Sequence, residues 1–106
     1  MRESTIEKHL VKRVKALGGE VRKVQWVGRR SAPDRLVMLP SRPSRIEGAY
    51  YLPQTIWVEL KNPETIKTFP ANGHERAQVR EHDLMARLGQ CVAVIGTIQG
   101  VEEVLA

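Results

Sequence analysis

The stretch Thr55-Ile56-Trp57-Val58-Glu59-Leu60-Lys61 constrains the fold more than any other part of the chain. Its β-branched and aromatic composition is that of a strand. Side chains alternate across a strand, so Val58 and Leu60 share one face while Glu59 and Lys61 share the other. A carboxylate and an ammonium at the end of an apolar strand are costly to bury unless something binds them. A second apolar run, Arg35 to Leu39, opens on another acid in Ser31-Ala32-Pro33-Asp34. The occupant that suits this set is a hard divalent cation held by Asp34 and Glu59, with Lys61 beside it.

At 106 residues the chain has the size of a single domain, residues 1–106, with a modest core. No apolar run approaches the roughly 20 residues of a membrane helix. The first residues, Met1-Arg2-Glu3-Ser4, lack the apolar segment of a signal peptide. Cys91 is the only cysteine, which excludes a disulfide framework and a cysteine metal cluster and fits a reducing cytoplasm. The small size without accessory domains suits a bacterial or phage-infected cell. A net charge of +5 favours a polyanionic partner without specifying one.

Ser4-Thr5-Ile6-Glu7 has the form of a capping box opening a helix. Ile6, Leu10, Val14 and Leu17 fall within about 80° of one another on that helix, with Lys8, Lys12 and Lys15 opposite. Gly18-Gly19 ends it. A strand follows over Glu20 to Val27, then a basic loop, Gly28 to Pro33, and then the apolar run to Leu39. That continuous run, like Cys91-Val92-Ala93-Val94-Ile95, predicts a strand covered on both faces. Pro40 to Pro53 contains three prolines and reads as an irregular excursion, with Tyr50-Tyr51-Leu52 able to extend the next strand. Asn62 to Gly73 reads as a second loop because of Pro63 and Pro70. A second helix is expected from about His74 to Leu88, with Ala77, Leu84, Met85 and Leu88 on its apolar face. A last short helix is expected over Thr97 to Leu105. The expected class is mixed α/β, a central mixed sheet flanked by helices in the order α-β-β-β-α-β-α.

Pro33-Asp34, then 24 residues, then Glu59-x-Lys61 resembles the motif of the PD-(D/E)XK nuclease superfamily. With Glu7 in an N-terminal helix, Pro33-Asp34-Arg35-Leu36-Val37, Val58-Glu59-Leu60-Lys61, and Gln78 in a later helix followed by Leu88-Gly89, the chain resembles the VRR-NUC domain over nearly its whole length. The resemblance implies a restriction-endonuclease-like core and a Mg²⁺- or Mn²⁺-dependent DNA endonuclease. Asp34 and Glu59 would be metal ligands, joined by the Leu60 carbonyl and by Glu7. Lys61 would orient or help deprotonate water and stabilise charge on the phosphate, and Gln78 would orient the site or touch DNA. Relatives of this kind that stand alone tend to be homodimers acting on branched DNA.

Simpler roles compete with these at several positions. Glu7 is equally a capping residue, and Glu59 and Lys61 could be a surface ion pair at a strand end. His9, His74 and His82 lack metal-ligand spacing and are expected at the surface, while Cys91 is expected in the core. Trp57 lies on the Glu59 face and suits packing. Arg29, Arg30, Arg42 and Arg45, with Arg35, Lys67 and Arg76, are the candidate phosphate contacts, which position nucleic acid without reading its sequence. A non-catalytic DNA-binding module and a subunit of a larger replication or repair complex are the alternatives to an enzyme.

Overall fold

Alternation along the 55–61 stretch sets the architecture. In a computed structural model describing residues 1–106, this stretch lies in strand β5 (Gln54–Leu60), where Ile56, Val58 and Leu60 are buried on one side. Before it come α1 (Glu3–Ala16), β1 (Glu20–Lys23), β2 (Arg35–Leu39) and a short ribbon of β3 (Arg42–Pro43) and β4 (Tyr50–Tyr51). After it come α2 (Pro63–Thr68), α3 (Gly73–Arg87), β6 (Cys91–Ile95) and α4 (Ile98–Leu105). The main sheet has the order β1-β2-β5-β6, antiparallel except for the parallel β5–β6 pair. It is therefore the mixed, helix-flanked sheet that the residue pattern implies.

The core fills one face of that sheet. Ile6, Leu10 and Val14 of α1 and Val101 and Leu105 of α4 pack against Val37, Leu39, Ile56, Val58, Leu60 and Ile95. The opposite face is covered by α3, which reaches Glu59 and Lys61. Cover on that side is partial. Met38 is 37% exposed, so β2 is not buried on both faces. β6 forms an edge of the sheet, with only Ile95 fully buried, and Cys91 at its start is exposed rather than in the core.

Three local expectations are corrected by the chain's own chemistry. α1 starts at Glu3 with Arg2 as its N-cap and no side-chain cap, so Ser4 lies inside the helix and closes no capping box. Asn62 to Thr68 is not loop: Asn62 Oδ1 accepts from the N–H of Glu64 and Thr65 at 2.9 and 2.8 Å, and the Asn62 N–H donates to Thr65 Oγ1. Pro63 at the first helical position starts α2 instead of preventing it. Tyr50 and Tyr51 pair with Pro43 and Arg42 in the separate ribbon rather than extending β5. The ribbon is tied to the end of α4, because Arg42 lies 4.8 Å from the Tyr51 ring centre and donates to the Leu105 carbonyl at 2.7 Å.

β1 ends at Lys23, short of the expected Val27. Beyond it the Val24 N–H still donates to the Asp34 carbonyl at 3.0 Å, and Trp26 packs edge-on against Trp57 with ring centres 6.3 Å apart. Glycine matters most where elements approach closely. A Cβ on Gly19 would stand 2.3 Å from the Met38 carbonyl oxygen, and one on Gly96 would stand 2.4 Å from Ile66 Cβ in α2. Gly96 thus lets α2 close over the end of β6, beside the charged end of β5.

Candidate active site

Asp34 stands immediately before β2, and Glu59 and Lys61 lie at the far end of β5, because antiparallel pairing sets Arg35 opposite Val58. The Leu60 N–H donates to Asp34 Oδ2 at 2.7 Å, which fixes the Asp34 carboxylate against the β5 end. Glu59 is 2% exposed. Burial, with the Asp34 carboxylate adding to it against the pull of His82 and Lys61, pushes its carboxyl up to about 7. Its Oε1 has no hydrogen-bond partner, and neither has His82 Nε2, which faces it from 3.5 Å.

Lys61 is fixed from α3. Its ammonium donates to Gln78 Oε1 at 3.0 Å, pairs with Glu75 Oε2 at 3.2 Å, and sits 4.9 Å from the Phe69 ring centre. Glu75 in turn accepts the Ala71 N–H at 2.8 Å. That backbone donor, with Lys61 assisting against burial, holds the Glu75 carboxyl below its ordinary value. The fold thus brings Asp34, Glu59, Lys61 and Gln78 into one cluster.

Glu7 is placed differently. Both of its carboxylate oxygens face Arg35, at 2.8 and 3.2 Å, and Arg35 also donates to the Asp34 carbonyl. Glu3, one turn earlier on α1, is the acid of this helix whose carboxyl is raised, by partial burial first and then by the nearby Asp34 charge. No three Asp, Glu, His or Cys side chains are gathered as a ready-made metal cage. The acids that converge are the pair Asp34 and Glu59.

Comparison with known proteins gives likenesses that span most of the chain. It is 38% identical over 95 residues to "Putative nuclease p44" of Acyrthosiphon pisum secondary endosymbiont phage 1, covering 90% of this chain and 83% of that one. It also matches a solved structure described as a VRR_NUC domain with a TM-score of 0.71 and 31% identity, over 97% of this chain and 92% of the other. The chain belongs to the VRR-NUC family. No family model matches it.

Within this VRR-NUC domain the basic side chains divide by their partners. Arg29 is bound to Glu81 on α3 through two contacts, at 3.0 and 2.6 Å. Arg35 is largely buried against Glu7, and Lys67 reaches Glu64 at 3.3 Å on the surface of α2. Arg42 is committed to the ribbon and α4. Arg30, Arg45 and Arg76 are exposed. His82 is not at the surface: it is 8% exposed, as is Glu75, whereas Leu88 of the expected apolar face is 70% exposed.

Sequence reading missed Glu3, Glu75 and His82. A signal existed for the latter two. With Gln78 they recur at helical spacing, the pattern of a single stripe on α3. Polar residues on such a stripe ordinarily mark the solvated face, so the stripe alone pointed the wrong way.

Proposed function

We propose that this VRR-NUC domain is a metal-dependent DNA endonuclease that uses Mg²⁺ or Mn²⁺ and selects branched DNA by shape. The observation that carries the reading is Glu59, a buried carboxylate beside Asp34 with one oxygen left without a partner. Two carboxylates held together in a poorly solvated place repel one another, and a bound divalent cation reverses that repulsion. The donor set fits: carboxylate oxygens from Asp34 and Glu59, with the Leu60 carbonyl available to hard cations. When bound, such an ion would polarise the phosphoryl group and make water acidic enough to serve as nucleophile near neutral pH.

The chain's own groups supply the remaining steps. Asp34, fixed by the Leu60 N–H, and Glu59, fixed by β5, keep the acidic pair rigid. Lys61 supplies a positive point charge for the phosphate oxygens, whose charge grows as the incoming water oxygen bonds to phosphorus and the bridging P–O bond breaks. The water proton is released to solvent or a basic group, leaving a phosphate monoester and a free hydroxyl. Exposed Arg30 and Arg76 supply phosphate contacts that hold the strand without reading bases. A pair of copies would present two such sites to a branch point, and light scattering that gives the mass of one chain at micromolar concentration would exclude this arrangement.

The test is cleavage of labelled single strand, duplex, flap, splayed arm and four-way junction with Mg²⁺, Mn²⁺, Ca²⁺ or EDTA, beside Glu59→Ala. Cleavage of branched forms that requires Mg²⁺ or Mn²⁺ and disappears in the variant is expected. Binding without cleavage in any metal would sink the enzyme reading and leave a DNA-binding module.

A further inference from the structure

Helix α3 carries an unusual inner stripe. Glu75, Gln78 and His82 are 8%, 6% and 8% exposed, and they precede Met85 on the same buried side. Three polar side chains at a helix–sheet interface lose water that must be replaced by specific partners. All three face the end of β5. Glu75 and Gln78 hold Lys61, and His82 faces Glu59. Successive turns of one helix thereby address alternate residues of one strand, with Leu60 between them pointing into the apolar core.

We propose that Glu75 and His82 are two separately acting positioning residues, Glu75 for the Lys61 ammonium and His82 for the Glu59 carboxylate. This rests on the metal-dependent nuclease reading above. A lysine ammonium has three N–H donors. Glu75 and Gln78 take two of them, which fixes the ammonium and leaves one donor for an incoming phosphate oxygen. Glu75 is itself immobilised by the Ala71 N–H, so the long Lys61 side chain is held in one place before substrate arrives.

His82 does a different task. Its Nε2 and Glu59 Oε1 are both buried, both without hydrogen-bond partners and 3.5 Å apart. A small shift of either ring or carboxylate converts that gap into a hydrogen bond. Closing that gap would let His82 hold the Glu59 carboxylate in one orientation, ready with Asp34 to take a cation. The two residues therefore affect different observables. His82 governs affinity for the cation, and Glu75 governs turnover after the cation and DNA are bound.

The experiment separates these on the full chain. Calorimetry with Mn²⁺ alone measures ion affinity for wild type, His82→Leu, His82→Gln, Glu75→Ala and Glu75→Gln, without DNA. Single-turnover cleavage at saturating Mn²⁺ gives rate against DNA affinity for the same set, and thermal melts verify that each variant is folded. Losing a residue that orients a ligand commonly weakens ion affinity or activity by about 10- to 100-fold. His82→Leu should weaken Mn²⁺ by that range, with partial rescue in His82→Gln, which retains a hydrogen-bonding end. Both Glu75 variants should leave Mn²⁺ affinity unchanged and lower the maximal rate at constant DNA affinity, Glu75→Gln less severely because it can keep the Ala71 bond. Equal Mn²⁺ affinity in wild type and His82→Leu, or unchanged turnover in Glu75→Ala, overturns the assignment while wild-type cleavage leaves the nuclease reading standing. A wild type that neither binds Mn²⁺ nor cleaves overturns both.

Discussion

The two faces of β5 are built from adjacent residues and could hardly differ more. On one, Ile56, Val58 and Leu60 meet the aliphatic stripes of α1 and α4 with no polar group to satisfy. On the other, Glu59 and Lys61 meet Glu75, Gln78 and His82 of α3. Burial supplies stability on the first face through the hydrophobic effect, whereas on the second it works against each ionised group unless a partner compensates. The first face holds the sheet together. The second keeps charged groups in place, at some expense in stability, and that combination is typical of sites that bind or react.

Substitutions on the two faces should separate these roles, beginning with the largest effect. Asp34→Asn keeps an acceptor for the Leu60 N–H but removes the charge, so cleavage should fall on the order of a thousandfold while the melting curve hardly moves. A comparable loss of folding stability in that variant would show that Asp34 belongs to the scaffold. On the apolar face the pattern inverts. Leu10→Ala should cost about 2–5 kcal/mol in urea denaturation, the range for truncating a fully buried leucine, with residual folded protein still cleaving.

A smaller effect comes from Glu59. Its carboxyl is raised from 4.5 to about 7 by burial, so the folded chain holds this proton more tightly than the unfolded chain does. The associated stability is complete below the unfolded value and is lost as pH rises through about 7. In EDTA the melting temperature of Glu59→Gln should therefore exceed wild type at about pH 8 and lose that advantage by about pH 4. A constant difference across that range would mean that burial of this carboxylate is not what separates the two faces. The smallest change is expected from Arg29→Ala. Its side chain is more than half exposed where it pairs with Glu81, and removing it should change stability by less than about 1 kcal/mol by thermal melt. A larger loss would place the basic loop within the scaffold of the polar face.

Much of this was legible in residue order. Ile6, Leu10 and Val14 announced the buried side of α1, and alternation along Thr55 to Lys61 told which side chains would share the Glu59 face. Local rules failed where a residue type has two meanings. Pro63 reads as a breaker in isolation and as a first helical residue once Asn62 caps the turn. Ser4 and Glu7 satisfy the spacing of a capping box, yet Glu7 lies beside Arg35 of β2, 28 positions away, and the helix starts before Ser4. The all-apolar run Cys91 to Ile95 suggested burial on both sides, but strand order put it at an edge.

The sequence by itself therefore determined the periodic features: a strand ending in Glu59-x-Lys61, an acid opening another, an aliphatic helix face and a mixed α/β class. These depend on spacing along the chain, which alternation and helical pitch convert directly into faces. Only the tertiary structure decided which polar residues are buried and with whom. Glu75 and His82 look like solvated helix positions until α3 is laid across β5, and Arg29 and Arg35 look like free cations until Glu81 and Glu7 come within reach. Desolvation and ion pairing depend on distances between segments remote in sequence, and only the packed fold sets those distances.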